Sequence, residues 1–185
     1  MENSYNVLVI TDFLFAGLIV DHIEKAGHKV IEIYNSGKDL KRLSKMENRI
    51  FDKEGAPDCV VVCVASAVDG FNTCLTIKAG KQLSNVPLIL VSTLPDENGH
   101  AAAIRNRADD SLNGTVFESS QLNVTIEIHF FTLLLKKVKI FGELGRLRKE
   151  NIRLNKELDV HKSVQHIIKA SSNRHNDIGI DDSEL

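Results

Sequence analysis

The sequence predicts an α/β fold in which helices cover both faces of a doubly wound, five-stranded parallel sheet, followed by one long C-terminal helix. Short runs rich in Val and Ile alternate with stretches of helical period, and this alternation is typical of strand–helix–strand units. One run, 59–64 (CVVVCV), is apolar at every position, as in a strand that is buried on both faces. The long helix is predicted because the segment 121–169 contains no proline and only two glycines.

The individual strands and helices follow from the same periods. The first strand is Asn6–Thr11, and an amphipathic helix at 13–26 ends at Gly27, a residue type that readily adopts the left-handed conformation at a helix C-terminus. The other predicted strands are 29–34, 59–64, 87–92 and 114–117. The other predicted helices are 37–45, 69–83 and 97–107, with a polar loop at 48–57. Because the strands are parallel, their carboxyl ends meet at one edge of the sheet, where functional groups gather in such folds.

The composition is that of a globular protein with one ordinary domain and an appendage. Of 185 residues, 43% are hydrophobic and 26% are charged, which suffices for a core, and we do not expect a large multidomain enzyme. No apolar run approaches the roughly 20 residues of a bilayer span and no secretory signal is recognisable, so we expect a cytoplasmic protein without a membrane segment. Three cysteines inside apolar segments favour buried thiols over disulfides.

Charge and pattern divide the chain into three predicted parts. Residues 1–125 form the α/β domain, residues 126–169 an extended helix, and residues 170–185 a polar, acidic tail that we expect to be disordered. The formal net charge is -2, yet the segment 136–169 carries ten basic and four acidic side chains. The excess of positive charge is therefore confined to the long helix.

The long helix has a heptad pattern that predicts a parallel two-stranded coiled coil and hence a homodimer. With Leu144 at position a and Leu147 at position d, apolar d positions continue as far as Leu154, and Asn151 at an a position favours a parallel, in-register pair. The residues predicted to form the dimer contact are Ile140, Leu144, Leu147, Asn151, Leu154 and Leu158. The alternative is a single helix that folds back on its own domain.

Residues beside this seam lead to two further expectations. Glu143 at g and Arg148 at e would attract each other between parallel chains. Gly142 and Gly145 would mark a flexible joint between the domain and the coil, since each glycine destabilises a helix interior by roughly 1 kcal/mol. Replacing both glycines with alanine should then raise the thermal stability of the helix.

Polar and reactive side chains stand where the predicted strands end. The residues at these ends are Thr11 and Asp12, Cys63, Ser92 and Glu118. The third strand also opens with Asp58 and is followed by Asp69 and Gly70. The order of strands and the spacing of these positions over residues 4–125 resemble the receiver domain of bacterial response regulators, which implies a flavodoxin-like fold.

In the receiver family each of these positions has a chemical role. Two acids after the first strand bind Mg²⁺, an aspartate at the end of the third strand attacks phosphorus, and a hydroxyl and a lysine after the fourth and fifth strands stabilise the product. In this sequence Thr11 replaces one acid and Glu118 replaces the lysine with reversal of charge, whereas Ser92 is retained. The remaining acid is Asp12.

The acceptor position is the decisive one. It is occupied by Cys63, and shifting the third strand by one residue offers only Val62 or Val64. Because no alignment places a carboxylate there, we expect a degenerate receiver, or pseudo-receiver. Such a domain would transfer no phosphoryl group, would not be an enzyme, and would use no cofactor or metal.

Three other interpretations of this pocket are less favoured. A redox role for Cys63 conflicts with the neighbouring Asp12 and Glu118, which would raise the pKa of its thiol. Those two carboxylates alone offer few oxygen ligands for a divalent cation. Cys59 and Cys63 are four residues apart on one strand, which is a weak signal for a metal site.

The sequence therefore predicts a regulatory protein of the two-component type that docks an unidentified signalling protein and dimerises through its coil. An alternative is an RNA-binding regulator, because a basic helix after a receiver-like domain resembles the receiver-like antiterminators. No aromatic residue follows Phe141, however, so base stacking lacks its usual platform. In another alternative, the chain is the N-terminal part of a larger two-component output protein.

Overall fold

Five parallel strands form one sheet with the order β2-β1-β3-β4-β5. The computed structural model describes residues 4–11, 16–35, 55–93, 97–114 and 124–176. The strands are β1 (Asn6–Thr11), β2 (Lys29–Asn35), β3 (Cys59–Ser66), β4 (Leu88–Thr93) and β5 (Asp110–Asn113). The α-helices of the described residues are α1 (Ala16–Lys25), α2 (Ala67–Ala79), α3 (Glu97–Arg105) and α4 (Val124–Asn176), with a short 3-10 turn at Leu83–Asn85. This is the doubly wound arrangement that the sequence predicts.

Alternating side chains of the central strands pack into two separate cores. Val60 and Val62 face a core formed with α2 and α3, whereas Val61 and Cys63 face a core formed with α1 and α4. All side chains from Cys59 to Val64 are fully buried, because helices cover both faces of β3. The uninterrupted apolar run in the sequence is thus explained by its central place in the sheet.

The predicted bounds of the first four strands agree with the structure to within two residues at each end. Gly27 follows α1 with a positive φ of 86°, which confirms its predicted role in ending that helix. The predicted helix at 37–45 and the loop residues 48–54 lie outside the described residues.

The prediction for the fifth strand was wrong by four residues. The strand is Asp110–Asn113, and Gly114 is not part of it. Leu112 of this strand is buried in the core with α1 and α4, while Asp110 forms an ion pair with Lys137 of α4. The predicted segment 114–117 has the higher β-propensity, but tertiary partners of a polar segment decide the pairing.

The first turns of α4 belong to the core of the α/β unit. Phe130, Phe131, Leu134 and Val138 are buried against the sheet. The chain divides into the compact units Met1–Leu147 and Arg148–Leu185, and this division falls inside α4. The helix continues to Asn176, so residues 170–176 of the predicted disordered tail are helical, and 177–185 lie outside the described residues.

The two glycines of α4 are contact points and not a flexible joint. A Cβ atom on Gly145 would lie 1.7 Å from the carbonyl oxygen of Asp58, and one on Gly142 would lie 2.5 Å from the ring of Tyr5. Glycine is required because the helix backbone approaches the start of β3 and the residue before β1 too closely for a side chain. The expectation that alanine would stabilise the helix here is therefore reversed.

No helix among the described residues combines the length and the apolar character needed to cross a bilayer.

Candidate functional site at the carboxyl edge of the sheet

The parallel register brings three of the predicted site residues to one edge of the sheet. Thr11 lies opposite Cys63, and Cys63 lies opposite Val91. In the next row Val64 lies opposite Ser92, and Ser92 lies opposite Asn113. Neighbouring strands are about 4.8 Å apart. Thr11, Cys63 and Ser92 therefore belong to two adjacent rows at the ends of three neighbouring strands.

Cys63 and Ser92 nevertheless face opposite sides of the sheet. Cys63 is buried in the core with α1 and α4, whereas Leu90 and Val64 belong to the core with α2 and α3. Ser92 follows Leu90 by two residues and pairs with Val64, so it shares their face. The residue of β3 beside the retained hydroxyl is therefore Val64 and not Cys63.

The end of β3 carries no carboxylate on either face. The described residues there are Cys63, Val64, Ala65 and Ser66. The Ser66 hydroxyl accepts a hydrogen bond from the N–H of Asp69 and so caps the start of α2. Asp69, the nearest acid in sequence, is thus in the first turn of α2.

Ser92 is fully buried, and its hydroxyl oxygen has no hydrogen-bond partner among the described residues. Buried hydroxyl groups are normally hydrogen-bonded, so an unpartnered one is an unusual feature of the edge. The carbonyl oxygen of Ser92 accepts a hydrogen bond from the N–H of Gly114 at 2.8 Å. This hydrogen bond joins the residue after β5 to the end of β4.

The two predicted carboxylates of the pocket, Asp12 and Glu118, lie outside the described residues. Thr11 is buried between β2 and β3, where it lies opposite Asn35 as well as Cys63. The residue that ends β5 and lies opposite Ser92 is Asn113, an uncharged amide. The described end of β5 thus carries no ammonium group.

The three cysteines are buried, and none of these described residues forms a disulfide. Burial raises the pKa of the Cys74 thiol to about 12, with Lys78 acting in the opposite direction. Cys59 and Cys63 share a face of β3 but are four residues apart, about 13 Å along a strand, so they cannot ligate one ion. Within the described ranges no group of three or more His, Cys, Asp or Glu side chains is suited to hold a metal.

A polar cluster that the sequence reasoning missed joins α3, β5 and α4. His100 Nδ1 lies 2.7 Å from Ser111 Oγ and 3.9 Å from a carboxylate oxygen of Asp110, which also pairs with Lys137. In a hydrolytic triad the histidine uses one ring nitrogen for the serine and the other for the acid. Here both partners face Nδ1, so the cluster stabilises the packing of three elements. The sequence analysis missed this cluster because it placed the fifth strand at 114–117, beyond Asp110 and Ser111.

A second missed cluster holds α4 at the amino edge of the sheet. The hydroxyl of Tyr5 donates to Glu143 at 3.0 Å, and the same carboxylate accepts a hydrogen bond from Arg146 at 2.7 Å. These hydrogen bonds, that from Arg146 foremost, lower the pKa of Glu143. Glu143, which the sequence assigned to a contact with Arg148 of a second chain, is thus already engaged within its own chain.

The predicted dimer residues lie on α4 with their apolar side chains largely exposed. The exposed fractions are 62% for Ile140, 56% for Leu147, 50% for Leu154 and 51% for Leu158. Leu144 is half-buried, and Asn151 is exposed and accepts a hydrogen bond from Asn155 within the helix. The described side chains from 151 to 170 are all exposed.

No protein-family model and no curated protein sequence matches this chain. Among solved structures, a protein described as a response regulator from Chloroflexus aurantiacus is 16% identical, with a TM-score of 0.52, over 76% of this chain and 99% of that one. The receiver domain of a signal transduction histidine kinase from Syntrophus aciditrophicus is 22% identical, with a TM-score of 0.47, over 74% of this chain and 93% of that one. The first likeness, together with the strand order, shows that this chain has the flavodoxin-like receiver fold.

Proposed function

We propose that this protein is a non-enzymatic regulator of the two-component type, in which a receiver-fold unit binds another signalling protein without being phosphorylated and α4 dimerises the chain. The observation that carries this proposal is the end of β3, where Cys63 and Val64 occupy the two faces beside Thr11 and Ser92. A receiver fold without a phosphoryl acceptor still offers a surface that another protein can bind, but phosphorylation no longer controls that binding.

Phosphoryl transfer requires a carboxylate nucleophile, a bound Mg²⁺ and a cation that stabilises the transferred group. A fully buried thiol and an isopropyl group stand where the nucleophile would be, and Asn113 ends β5. One of the two metal-binding acids is replaced by Thr11, which leaves Asp12 as the remaining acid of that pair. A single carboxylate binds Mg²⁺ weakly unless phosphate oxygens complete its shell.

Dimerisation is supported by the exposed apolar d positions of α4. Leu147 and Leu154 are one heptad apart and are each at least half exposed in the single chain. Burying a leucine side chain stabilises an assembly by about 1.5–3 kcal/mol, so a seam of such residues favours pairing of two helices. Asn151 between them favours a parallel pair, because two such amides hydrogen-bond each other only when the chains are in register.

Exposure to acetyl phosphate and Mg²⁺ followed by intact-mass measurement tests the central claim. We expect the mass to remain that of the unmodified chain, while a phosphorylatable receiver from another protein gains one phosphoryl group under the same conditions. A stoichiometric phosphoryl adduct on this chain would overturn the proposal.

RNA binding is the second candidate, favoured by the net positive charge of the segment 136–169. Part of that charge is neutralised within the chain, because Arg146 pairs with Glu143 and Arg153 pairs with both Glu150 and Glu157. A gel shift with structured RNA that weakens steeply as salt rises would favour this candidate. We expect no such shift near physiological salt.

A further inference from the structure

One polar residue interrupts the apolar d positions in the last part of α4. In the predicted heptad register the d positions after residue 146 are Leu147, Leu154, His161 and Ile168, and the helix runs through all of them without a break. His161 is exposed, and it has no hydrogen bond and no ion pair among the described residues. A polar side chain in a coiled-coil seam destabilises the pair of helices, so a histidine at this position indicates a role other than packing.

A carboxylate lies one turn before this histidine. Glu157 at g precedes His161 by four residues, and side chains at this spacing are neighbours on a helix surface, with Cβ atoms about 5–6 Å apart. Arg153 donates a hydrogen bond to Glu157 at 2.7 Å, but it also donates two hydrogen bonds to Glu150. Because Arg153 keeps a carboxylate partner when Glu157 turns towards His161, the Glu157 carboxylate can bind a cation there.

We propose that the parallel dimer binds one divalent metal ion of the zinc type between its two copies of His161, with the two Glu157 carboxylates completing the coordination. This inference rests on the proposed dimer. A single chain does not complete the site, because the described residues contain no group of three or more His, Cys, Asp or Glu side chains suited to hold a metal. In a parallel, in-register pair each d residue meets its own copy, so the second chain supplies the missing imidazole and carboxylate.

The chemistry of these side chains selects the class of ion. Imidazole nitrogen and carboxylate oxygen are ordinary ligands of zinc, whereas Mg²⁺ and Ca²⁺ prefer sites made of oxygen alone. Four ligands from two helices also match the tetrahedral coordination of zinc, and metal sites in helical bundles are built from side chains on facing helices. Lys162 follows His161 directly, and its positive charge opposes the binding of a cation. We therefore expect a weaker site than a closed structural zinc site.

Titration of the full chain with zinc chloride tests this inference, with free zinc measured by a chromophoric chelator. We expect one zinc ion per two chains. His161→Leu should lower the affinity for zinc at least about tenfold, because even residues that only orient a metal ligand contribute that much. The same variant should keep the dimer, since leucine at d strengthens an apolar seam. Glu157→Gln should also weaken the binding of zinc.

His166→Leu is the matched control for this titration. His166 is exposed like His161, but it lies at b, away from the seam. We expect its affinity for zinc to equal that of the parent chain. An equal loss of affinity in His161→Leu and His166→Leu would show adventitious binding by surface histidines and would overturn the inference.

Light scattering with and without zinc separates this inference from the proposed dimer. A dimeric parent chain that binds no zinc, or binds it no more tightly than His161→Leu does, would refute the metal site and leave the dimer standing. One ion per chain, retained in a monomeric Leu154→Lys variant, would show a site within a single chain and would also refute the shared site. A parent chain that is monomeric with and without zinc would refute both. A parent chain that dimerises only when zinc is present would support the site.

Discussion

At Gly145 the backbone of α4 lies directly against Asp58, the residue before β3. The carbonyl oxygen of Asp58 occupies the space that a Cβ atom would need. Asp58 is itself fixed, because it exchanges hydrogen bonds with the backbone of Asn6 through both its N–H and its carboxylate. Because the contact is between the helix backbone and the backbone of Asp58, a methyl group at 145 must displace either the helix or the start of β3.

Gly145→Ala should therefore lower the free energy of unfolding, although alanine is the better helix former. Overpacking costs about 1–3 kcal/mol, and a clash with the backbone of Asp58 belongs at the upper end of this range, which exceeds the roughly 1 kcal/mol gained in helix propensity. Urea unfolding followed by circular dichroism measures the difference.

Gly17→Ala is the matched control, because Gly17 is also helical and a Cβ there meets no atom within 4 Å. We expect this variant to be unchanged or stabilised by up to about 1 kcal/mol. A Gly145→Ala variant as stable as Gly17→Ala would show that the helix does not approach Asp58 as described.

The reactivity of the three thiols tests whether these cysteines are chemically inert in the folded chain. Cys59, Cys63 and Cys74 are fully buried, and burial raises the pKa of Cys74 to about 12, so this thiol stays protonated at neutral pH. Ellman's reagent at pH 8 should titrate no thiol rapidly in the native protein and all three in denaturant. One fast-reacting native thiol, mapped to Cys63 by peptide mass, would support the redox interpretation instead.

At the scale of elements, α4 carries two apolar stripes, one that packs against the sheet and one that stays exposed. One stripe, including Phe131 and Leu134, closes the core of the α/β unit. A second stripe, including Leu147 and Leu154, stays exposed.

Leu154→Lys should convert the proposed dimer to a monomer, because two lysines would meet in an apolar seam. Ile152→Lys is the matched control, since Ile152 is exposed on the same turn but lies at b, away from the seam. Light scattering should give a monomer mass for the first variant and a dimer mass for the second. A dimer mass for Leu154→Lys would remove α4 from the assembly.

Periodicity was sufficient to predict elements whose own residues determine their structure. The strands β1, β3 and β4 each contain an uninterrupted apolar run of at least four residues, and the boundary at Gly27 depends on a residue type that tolerates positive φ. The place of β5 depends on Lys137 and other partners distant in sequence, so local propensity failed there. Helix propensity likewise does not reveal the contact of Gly145 with Asp58, because it treats any glycine in a helix interior as destabilising.

The sequence names the residues of the candidate site but does not give their geometry. It assigns Cys63 to the position that resembles the acceptor. The face on which that thiol lies depends on the pairing of Cys63 with Thr11 and Val91, which differs by one residue from the row of Ser92. A shift of one residue exchanges the two faces of a strand, so alignment of strand ends cannot decide which residue borders the hydroxyl.

On the scale of the whole molecule, the two edges of the sheet have different properties. The carboxyl edge holds an unpartnered hydroxyl at Ser92 and no carboxylate at the end of β3. The amino edge contacts α4 closely through Tyr5 and Asp58. The contacts of Tyr5 and Asp58 therefore hold α4 at the amino edge of the sheet, whereas the candidate site lies at the carboxyl edge.

If two chains assemble through α4 as proposed, the stability of the folded chain should depend on its concentration. Two unfolded chains combine into one dimer, so raising the concentration a hundredfold favours the dimer by about 2.7 kcal/mol. For a dimer of this size that corresponds to an increase in Tm of about 3–4 °C. Circular dichroism melts at about 2 and 200 µM should show this shift for the parent chain and for Ile152→Lys.

Leu154→Lys should abolish the shift while retaining a cooperative transition, because both cores of the α/β unit lie within Met1–Leu147 and do not include residue 154. Superimposable melts of the parent chain at the two concentrations would show that folding is not linked to association. Loss of all cooperativity in Leu154→Lys would instead show that the unit requires its partner chain to fold, as in obligate dimers.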